Sequence, residues 1–372
     1  MKFSCEKQIL LAAIMTSARA CAGKSPIPAL EGLLFEASGM SVKITGYDLK
    51  KGIYTKIEAD VIVEGRIVLG ARLVSEIIRS LPDGMVTISV GKNFSTRIVC
   101  ENAEFDIMGT EPDDYPELPK IEYESGASIE QGKLKKMLSE TIFAVSDSES
   151  RPIYTGALFE IENDELTIVA VDGFRLAMRR EPISGSDKEE NNFIVPGIAL
   201  SELEKICSDT DDAVRITVGS KHISFTIGET VLVSRRLEGE FLNYKKTIPT
   251  EFSLNITAYR PDLLRIVERV SLIIDERAKN PLHCMFGDNE IKMSCITPLG
   301  KAEDVVMAHG AGDNLEMGFN SRFLKEALRA APGDNLRLSI INSVSPFVIV
   351  PESEGDESFL YMILPIRLKA GE

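Results

Sequence analysis

Ala71–Leu81 reads ARLVSEIIRSL, with apolar side chains at 71, 73, 74, 77, 78 and 81, five of them at the three-and-four spacing of one helix face. A short strand-like run, Arg66–Gly70 (RIVLG), leads into it. The pair returns twice: Asn192–Gly197 (NFIVPG) runs into Leu200–Ser208 (LSELEKICS), and Glu316–Asn320 (EMGFN) into Ser321–Ala331 (SRFLKEALRAA). Gly70, Gly197 and Asn320 stand about 127 and 123 positions apart, as one repeating unit requires. A second marker fixes the phase, because Leu30–Ala37 (LEGLLFEA) recurs as Tyr154–Ile161 (YTGALFEI) and, more weakly, as Pro281–Asp288 (PLHCMFGD). Longer helical patterns precede these runs at Lys7–Ala22, Lys133–Val145 and Pro261–Ile273, the last with proline in its first turn, where a missing N–H does no harm. Each unit is therefore expected to run helix, strands, helix, strands.

The 372 residues and 44% hydrophobic content suffice for three cores, and a period near 125 is too long for a solenoid unit of about 20–50 residues. The expected domains are 1–122, 123–252 and 253–372. Proline-rich, acidic Thr110–Gly126 and the shorter Asn243–Ser253 read as the linkers between them. No apolar run approaches the ~20 residues of a membrane span. Met1–Leu11 holds Lys2, Glu6 and Lys7 without a leader-like apolar core, so a cytoplasmic location is expected.

Local motifs for chemistry are weak. The six cysteines have no CxxC spacing, and His222, His283 and His309 have no nucleophile nearby in sequence, so neither metal nor cofactor is expected. Gly23-Lys24-Ser25 resembles the end of a phosphate-binding loop, but Ala18 holds the position of the required first glycine. Lys24 reads instead as a basic residue at a helix end. Asp172-Gly173 sits between two apolar runs and signals a hairpin turn rather than a catalytic acid.

Charge separates the helices from the rest. The chain carries −15, which excludes a protein that coats nucleic acid with its whole surface, yet the six helical windows together sum to +7. Helices gathered on one side would make a positive face suited to non-specific phosphate contacts, inside an otherwise acidic body. Ser358–Leu368 (SFLYMILPIRL) stays apolar almost to its last residue and reads either as a final core strand or as the wall of a groove that captures peptides.

Several segments, in order along the repeat, resemble the bacterial DNA polymerase III β-subunit family, the sliding clamps: Met1-Lys2-Phe3, Leu30–Phe35, Arg151–Glu160, Val171–Leu176, Glu238–Phe241 before Tyr244, and Leu364–Leu368. The resemblance implies an α+β fold of three clamp domains. It further implies a head-to-tail homodimeric ring, with helices lining the hole and antiparallel sheets outside. Double-stranded DNA would be held topologically and without sequence preference. The replicative polymerase, the clamp loader and other proteins carrying clamp-binding motifs would dock as peptides, and no catalysis would be required.

Carried onto this chain, the peptide slot would be walled by Tyr154, Val171, Gly173, Phe174, Arg175, Leu176, Leu242, Lys246 and Thr247. Its C-terminal side would be Asn320, Phe323, Val344, Pro346, Met362, Ile363, Leu364, Pro365, Ile366, Arg367 and Leu368. Such a slot is apolar with a basic rim and suits leucine or phenylalanine anchors. Phe174, Leu242 and Leu364 replace the family's usual histidine, proline and methionine, and Lys369 to Glu372 extend past its usual end. The DNA-facing candidates are Lys24, Arg72, Arg79, Lys133, Lys136, Arg265, Arg269, Arg322 and Lys325; the basic pair expected near Pro196-Gly197-Ile198 is absent. For the subunit contact, Phe105 and Ile107 would meet Leu272 and Ile273. Two alternatives remain: a three-domain peptide scaffold that never encircles DNA, and a hydrolase using Asp172.

Overall fold

The computed structural model describes every residue except 187–189, 276–279 and 369–372, so the extension from Lys369 lies outside the described residues. Six α-helices are present among them: α1 (Lys7–Ser17), α2 (Ala71–Ser80), α3 (Gln131–Ser139), α4 (Gly197–Ile206), α5 (Arg260–Val270) and α6 (Ser321–Ala330). Each coincides with a predicted helix. The ends of α1, α3 and α5 fall short of expectation, because the chain tightens into 3₁₀ turns at Ala18–Ala20, Ile142–Ala144 and Ser271–Ile273. In α2 the buried face is Ala71, Val74, Ile77 and Ile78, and in α6 Ser321, Leu324, Ala327 and Leu328. Each fully buried leucine, isoleucine or valine contributes about 1.5–3 kcal/mol relative to exposure.

The expected order of elements needs one correction. Every third opens on a strand, not a helix: Lys2–Glu6, Ser125–Glu130 and Leu254–Tyr259 precede α1, α3 and α5. These runs are five or six residues long and alternate in burial, Phe3 and Cys5 pointing inward in the first. In the sequence each merges directly with the apolar stripe of the following helix, which hides the change of period.

The chain folds as two compact units. The first comprises Met1–Lys135, Ile183–Lys188 and Glu202–Arg236. It contains a five-stranded sheet in the order Asp60–Val63, Lys2–Glu6, Met85–Val90, Ser95–Cys100, Ala103–Met108. Its eight-stranded sheet runs Ser125–Glu130, Ala213–Val218, His222–Ile227, Thr230–Arg235, Lys51–Glu58, Ser41–Tyr47, Gly32–Ser38, Gly65–Gly70. Half of that sheet comes from the first third of the chain and half from the middle third. The seam is the antiparallel pairing of Thr230–Ser234 with Lys51–Thr55. The helices α1 and α2 pack on each other, with Leu10, Ile14, Val74 and Ile78 in one core with Phe3, Phe35 and Ile44.

The second unit comprises Lys136–Pro182, Glu189–Ser201 and Leu237–Glu372. Among the described residues it holds one sheet of twelve strands: Glu190–Pro196, Gly156–Glu162, Glu165–Val171, Arg175–Pro182, Phe359–Ile363, Phe347–Pro351, Asn335–Ile340, Leu254–Tyr259, Gly300–His309, Glu290–Thr297, Leu282–Phe286, Leu315–Phe319. The middle third again shares a continuous sheet with its neighbour, here through Arg175–Arg179 paired with Phe359–Ile363. Beneath that seam Glu140 meets Arg179 at 3.1 Å with both side chains 7% exposed. Burial raises the Glu140 carboxyl above its ordinary value, and Arg179 opposes that rise.

Neither linker is merely solvent-exposed. Tyr115 is buried and donates its hydroxyl to the Thr45 carbonyl at 3.1 Å. Tyr244 is buried and donates to Glu160 Oε2 at 2.6 Å, and burial raises its hydroxyl pKa. An aromatic ring in each linker closes it onto the sheet, a contact that composition alone does not reveal.

Candidate peptide slot, basic helices and open strand edges

The slot is assembled within the second unit from the hairpin around Asp172. Strands Glu165–Val171 and Arg175–Pro182 pair antiparallel up to Val171 opposite Leu176. The turn between them places Gly173 at φ +94°, a conformation glycine adopts without steric strain. The Asp172 carboxylate secures the turn, accepting the Phe174 N–H at 2.9 Å and the Arg175 N–H at 3.1 Å through Oδ1. Its other oxygen accepts from Arg175 Nε at 2.9 Å. Asp172 is thus committed to structure, as its hairpin reading anticipated.

Arg175, expected among the wall residues, is 5% exposed. Besides Asp172 it donates to Glu326 and, at 2.6 Å, to the Phe143 carbonyl. Its guanidinium lies 4.4 Å from the Phe323 ring centroid and 5.3 Å from that of Phe143. Phe323 in turn stacks on Phe174, centroids 6.3 Å apart. One buried cation therefore fixes an aromatic wall whose outer member, Phe174, is 62% exposed.

The floor is apolar. Val171, Leu176 and Met362 are buried in a cluster with Leu158, Val169, Met178 and Val348, and Leu242 packs against it. Ile363 is buried beside Met362, and the Leu364 N–H donates to the Phe174 carbonyl at 2.8 Å. Beyond it the tail bends past half-buried Pro365, and the Ile366 N–H donates to the Gly318 carbonyl at 2.8 Å. Leu368 lies against Gly318, where a Cβ would stand 2.6 Å from its Cδ2. Leu364 and Val344 remain exposed, Pro346 and Tyr154 half-buried, and Tyr154 packs edge-on to Phe241 at 5.8 Å. Asn320 caps α6, accepting the Arg322 N–H at 3.0 Å. Lys246, Thr247 and Arg367 are the exposed polar margin. Phe143, Glu326 and Tyr244 pack against these candidates and were not anticipated; only their contacts bring them in.

The basic candidates are largely engaged locally. Arg72 pairs with Glu76, Lys133 with Glu130, Arg265 with Asp262, Arg269 with Asp304 and Arg322 with Glu326. Arg79 is exposed and donates to Met15 Sδ. The Arg269 guanidinium beside Asp304 holds its carboxyl below the ordinary value. Lys24 and Lys136 are exposed and Lys325 half-buried. Lys24 stands well past the end of α1 at Ser17, which corrects its placement at a helix end. Arg329, not anticipated, reaches from α6 to Glu268 on α5 at 2.6 Å.

Each unit also presents an unpaired strand edge among the described residues. Ala103–Met108 pairs only with Ser95–Cys100, leaving its other side open, with Phe105 36% exposed and Ile107 half-buried. Gly300–His309 pairs fully with Glu290–Thr297, but its other side meets Thr257 and Ala258 only at His309 and Ala308. Near that strand Leu272 is 83% exposed and Ile273 half-buried. Open edges beside exposed apolar side chains call for a partner.

Among the described residues no three His, Cys, Asp or Glu side chains could hold a metal. The cysteines are all free thiols. Repeated helix-and-sheet domains, an apolar slot with an aromatic wall, and open strand edges define a binding scaffold of the clamp type. The chain matches the N-terminal, central and C-terminal domains of the DNA polymerase III beta subunit over residues 1–119, 128–243 and 245–367. It is 31% identical over 377 residues to a beta sliding clamp of Staphylococcus epidermidis and 31% identical over 378 to one of Staphylococcus aureus, covering 99% of both chains in each case. Among solved structures it is similar to the Bacillus subtilis DNA polymerase sliding clamp (TM-score 0.94, 31% identity, 99% of this chain and 100% of that one). It is also similar to a Pseudomonas aeruginosa sliding clamp bound to griselimycin (TM-score 0.93, 26% identity, the same coverage). The chain belongs to the DNA polymerase III beta-subunit family, the DNA sliding clamps. It has the three tandem clamp domains of that family and its function, that of a non-enzymatic processivity factor.

Proposed function

We propose that this chain works as a homodimeric clamp in which three separate surfaces share the task. The slot around Val171, Leu176 and Met362 takes the linear peptides of the polymerase and other partners. Its apolar floor and exposed margin suit an extended segment with leucine or phenylalanine anchors. The open edges of Ala103–Met108 and Gly300–His309 join head to tail between two chains, with Phe105 and Ile107 meeting Leu272 and Ile273. Six domains from two chains then close around duplex DNA. The proposed domain limits are 1–122, 123–252 and 253–372, and the proposed location is the cytoplasm; no helix among the described residues is long and apolar enough to cross a membrane.

Local pairing of the basic helix residues favours sliding. A guanidinium already held by a carboxylate makes a weak, exchangeable phosphate contact, so DNA is retained by topology more than by affinity. Lys24, Lys136 and Lys325 are the cations proposed to meet phosphate most directly. The observation that supports the peptide-site reading is the meeting of Leu176, Tyr244 and Met362 in one apolar floor, with Phe174, two residues before Leu176, stacked on Phe323. Its test is fluorescence anisotropy with a labelled leucine- and phenylalanine-anchored peptide. Binding should be lost on truncation after Tyr361 while the homodimer persists, and undiminished binding would refute the assignment.

A further inference from the structure

The first unit holds a groove of about 730 Å³ between its eight-stranded sheet and the linker segment 115–121. The register shows that it is the repeat counterpart of the peptide slot. Tyr47 faces Gly52 across a turn in which Asp48 accepts the Lys50 and Lys51 N–H groups at 2.9 and 2.8 Å and pairs with Lys51 Nζ at 2.7 Å. Val171, Leu176, Asp172 and Arg175 occupy the same places in the slot. The adjoining strand agrees as well, since the Arg235 N–H donates to the Lys50 carbonyl at 3.2 Å as that of Leu364 does to Phe174.

The two sites differ where a ligand would anchor. Gly52 stands in place of Leu176, and Leu118 of the linker fills the space, its Cδ2 2.2 Å from where a Cβ on Gly52 would be. That leucine closes the apolar end of the groove to the ligands of the slot. Thr45 replaces Val169 on the remaining floor. It lines the groove, is 3% exposed, and its hydroxyl has no hydrogen-bond partner among the described residues. A buried hydroxyl is normally paired, so a polar atom that the groove admits beside Thr45 would supply the partner this one lacks. Lys43 and Arg66 at the rim share the Glu36 carboxylate, each at 3.2 Å, and Arg66 also lies 3.9 Å from the exposed Asp113 carboxylate. With Lys120 and Glu117 the lining is net +1, on a chain of net charge −15.

We propose that this groove binds a second, acidic peptide segment of a partner protein, a reading that rests on the peptide slot for the class of ligand. A carboxylate of the segment pairs with Lys43 and Arg66, a polar group bonds Thr45 Oγ1, and a small aliphatic side chain lies on Val231 and Val233. A partner holding both sites at once gains effective concentration from the first contact, so the second contact can be weak.

The test is methyl NMR of the full-length protein with labelled Thr, Val and Leu methyls, titrated with acetyl-Val-Ser-Asp-Val-amide. Saturable shifts at Thr45, Val231 and Val233 are expected with a Kd on the order of 1 mM. Replacing Asp by Lys in the peptide, or using the Lys43→Glu/Arg66→Glu variant, should weaken binding by about tenfold or more. Thr45→Val, which preserves shape, should weaken it several-fold. Absence of saturable shifts, equal binding of the Asp and Lys peptides, or shifts confined to Val171 and Leu176 would overturn the proposal. A leucine- and phenylalanine-anchored peptide in parallel reports on the slot alone. If it fails to move Val171 and Leu176, the slot reading falls independently of the groove titration.

Discussion

Replacing Arg175 by methionine tests whether one buried cation builds the peptide wall. The substitution keeps the aliphatic stem but removes the partner of Asp172, whose side chain is 11% exposed, and one partner of Glu326, at 33%. Stranding a buried carboxylate costs about 3–5 kcal/mol, and the lost stacking on Phe143 and Phe323 adds about 1 kcal/mol. Glu326 can turn to water, so its share is small. Asp172 keeps the Phe174 and Arg175 N–H bonds, which holds its cost at the low end and offsets about 1 kcal/mol, so a net loss of about 3 kcal/mol follows. At about 2–4 °C per kcal/mol for a body of this size, the melting transition of the unit should fall by about 6–12 °C. Peptide affinity, read by anisotropy below the transition, should fall with it, because Phe174 and Phe323 lose the guanidinium that spaces them. Adding Asp172→Asn should recover part of the stability, since the stranded charge is gone while an amide oxygen still caps the turn. If the single variant melts within about 2 °C of the parent, or the double loses the sum of both, the wall does not depend on this pair.

Other surfaces give separate expectations. Val344→Asp, on an exposed residue proposed to line the slot, should weaken peptide binding by about tenfold without shifting the melt; a melting shift with intact binding would reverse the assignment. Leu272→Glu should convert the homodimer to monomer in analytical ultracentrifugation while leaving the chain folded, and an unchanged dimer would remove this residue from the contact. Burial raises the thiols of Cys5 and Cys207 from 9.0 to about 12, so their neutral form stabilises the fold. That stability is present below pH 9 and lost as pH rises toward about 12, by up to about 1.4 kcal/mol per pH unit for each thiol. Urea melts between pH 8 and 11 should show the decline, and Cys207→Ala should make it shallower while the Cys5 share persists; a flat parent profile would contradict the burial argument.

Much of this architecture was legible because the repeat was read twice, from helices and from strands. The helix periods were visible at Val74, Ile77 and Ile78 and again at Leu324, Ala327 and Leu328 because one buried stripe decides a surface helix. The opening strands stayed hidden because five residues such as Lys2–Glu6 carry only two inward side chains before the helical stripe begins. Sheet sharing between thirds was also out of reach, since the pairing of Arg175–Arg179 with Phe359–Ile363 depends on contacts nearly two hundred residues apart. In the slot, the apolar walls followed from the resemblance. The burial of Arg175 did not, because the partners that hold a guanidinium inside, here Asp172, Glu326 and Phe143, are set by contacts up to about 150 residues apart. The turn Asp48–Lys51 repeats that ion pair within YDLKKG as VDGFRL does, a correspondence that only the register brings out.

The most direct test of the central claim is retention on DNA of different topology. The protein is loaded by a clamp loader onto nicked circular plasmid, separated from free protein by gel filtration, and followed as the circle is cut once. The account requires stable association with the circle and rapid loss after linearisation, with Leu272→Glu retained on neither. Equal retention on circular and linear DNA, or loss from both by the parent protein, would contradict a ring that holds DNA by enclosure.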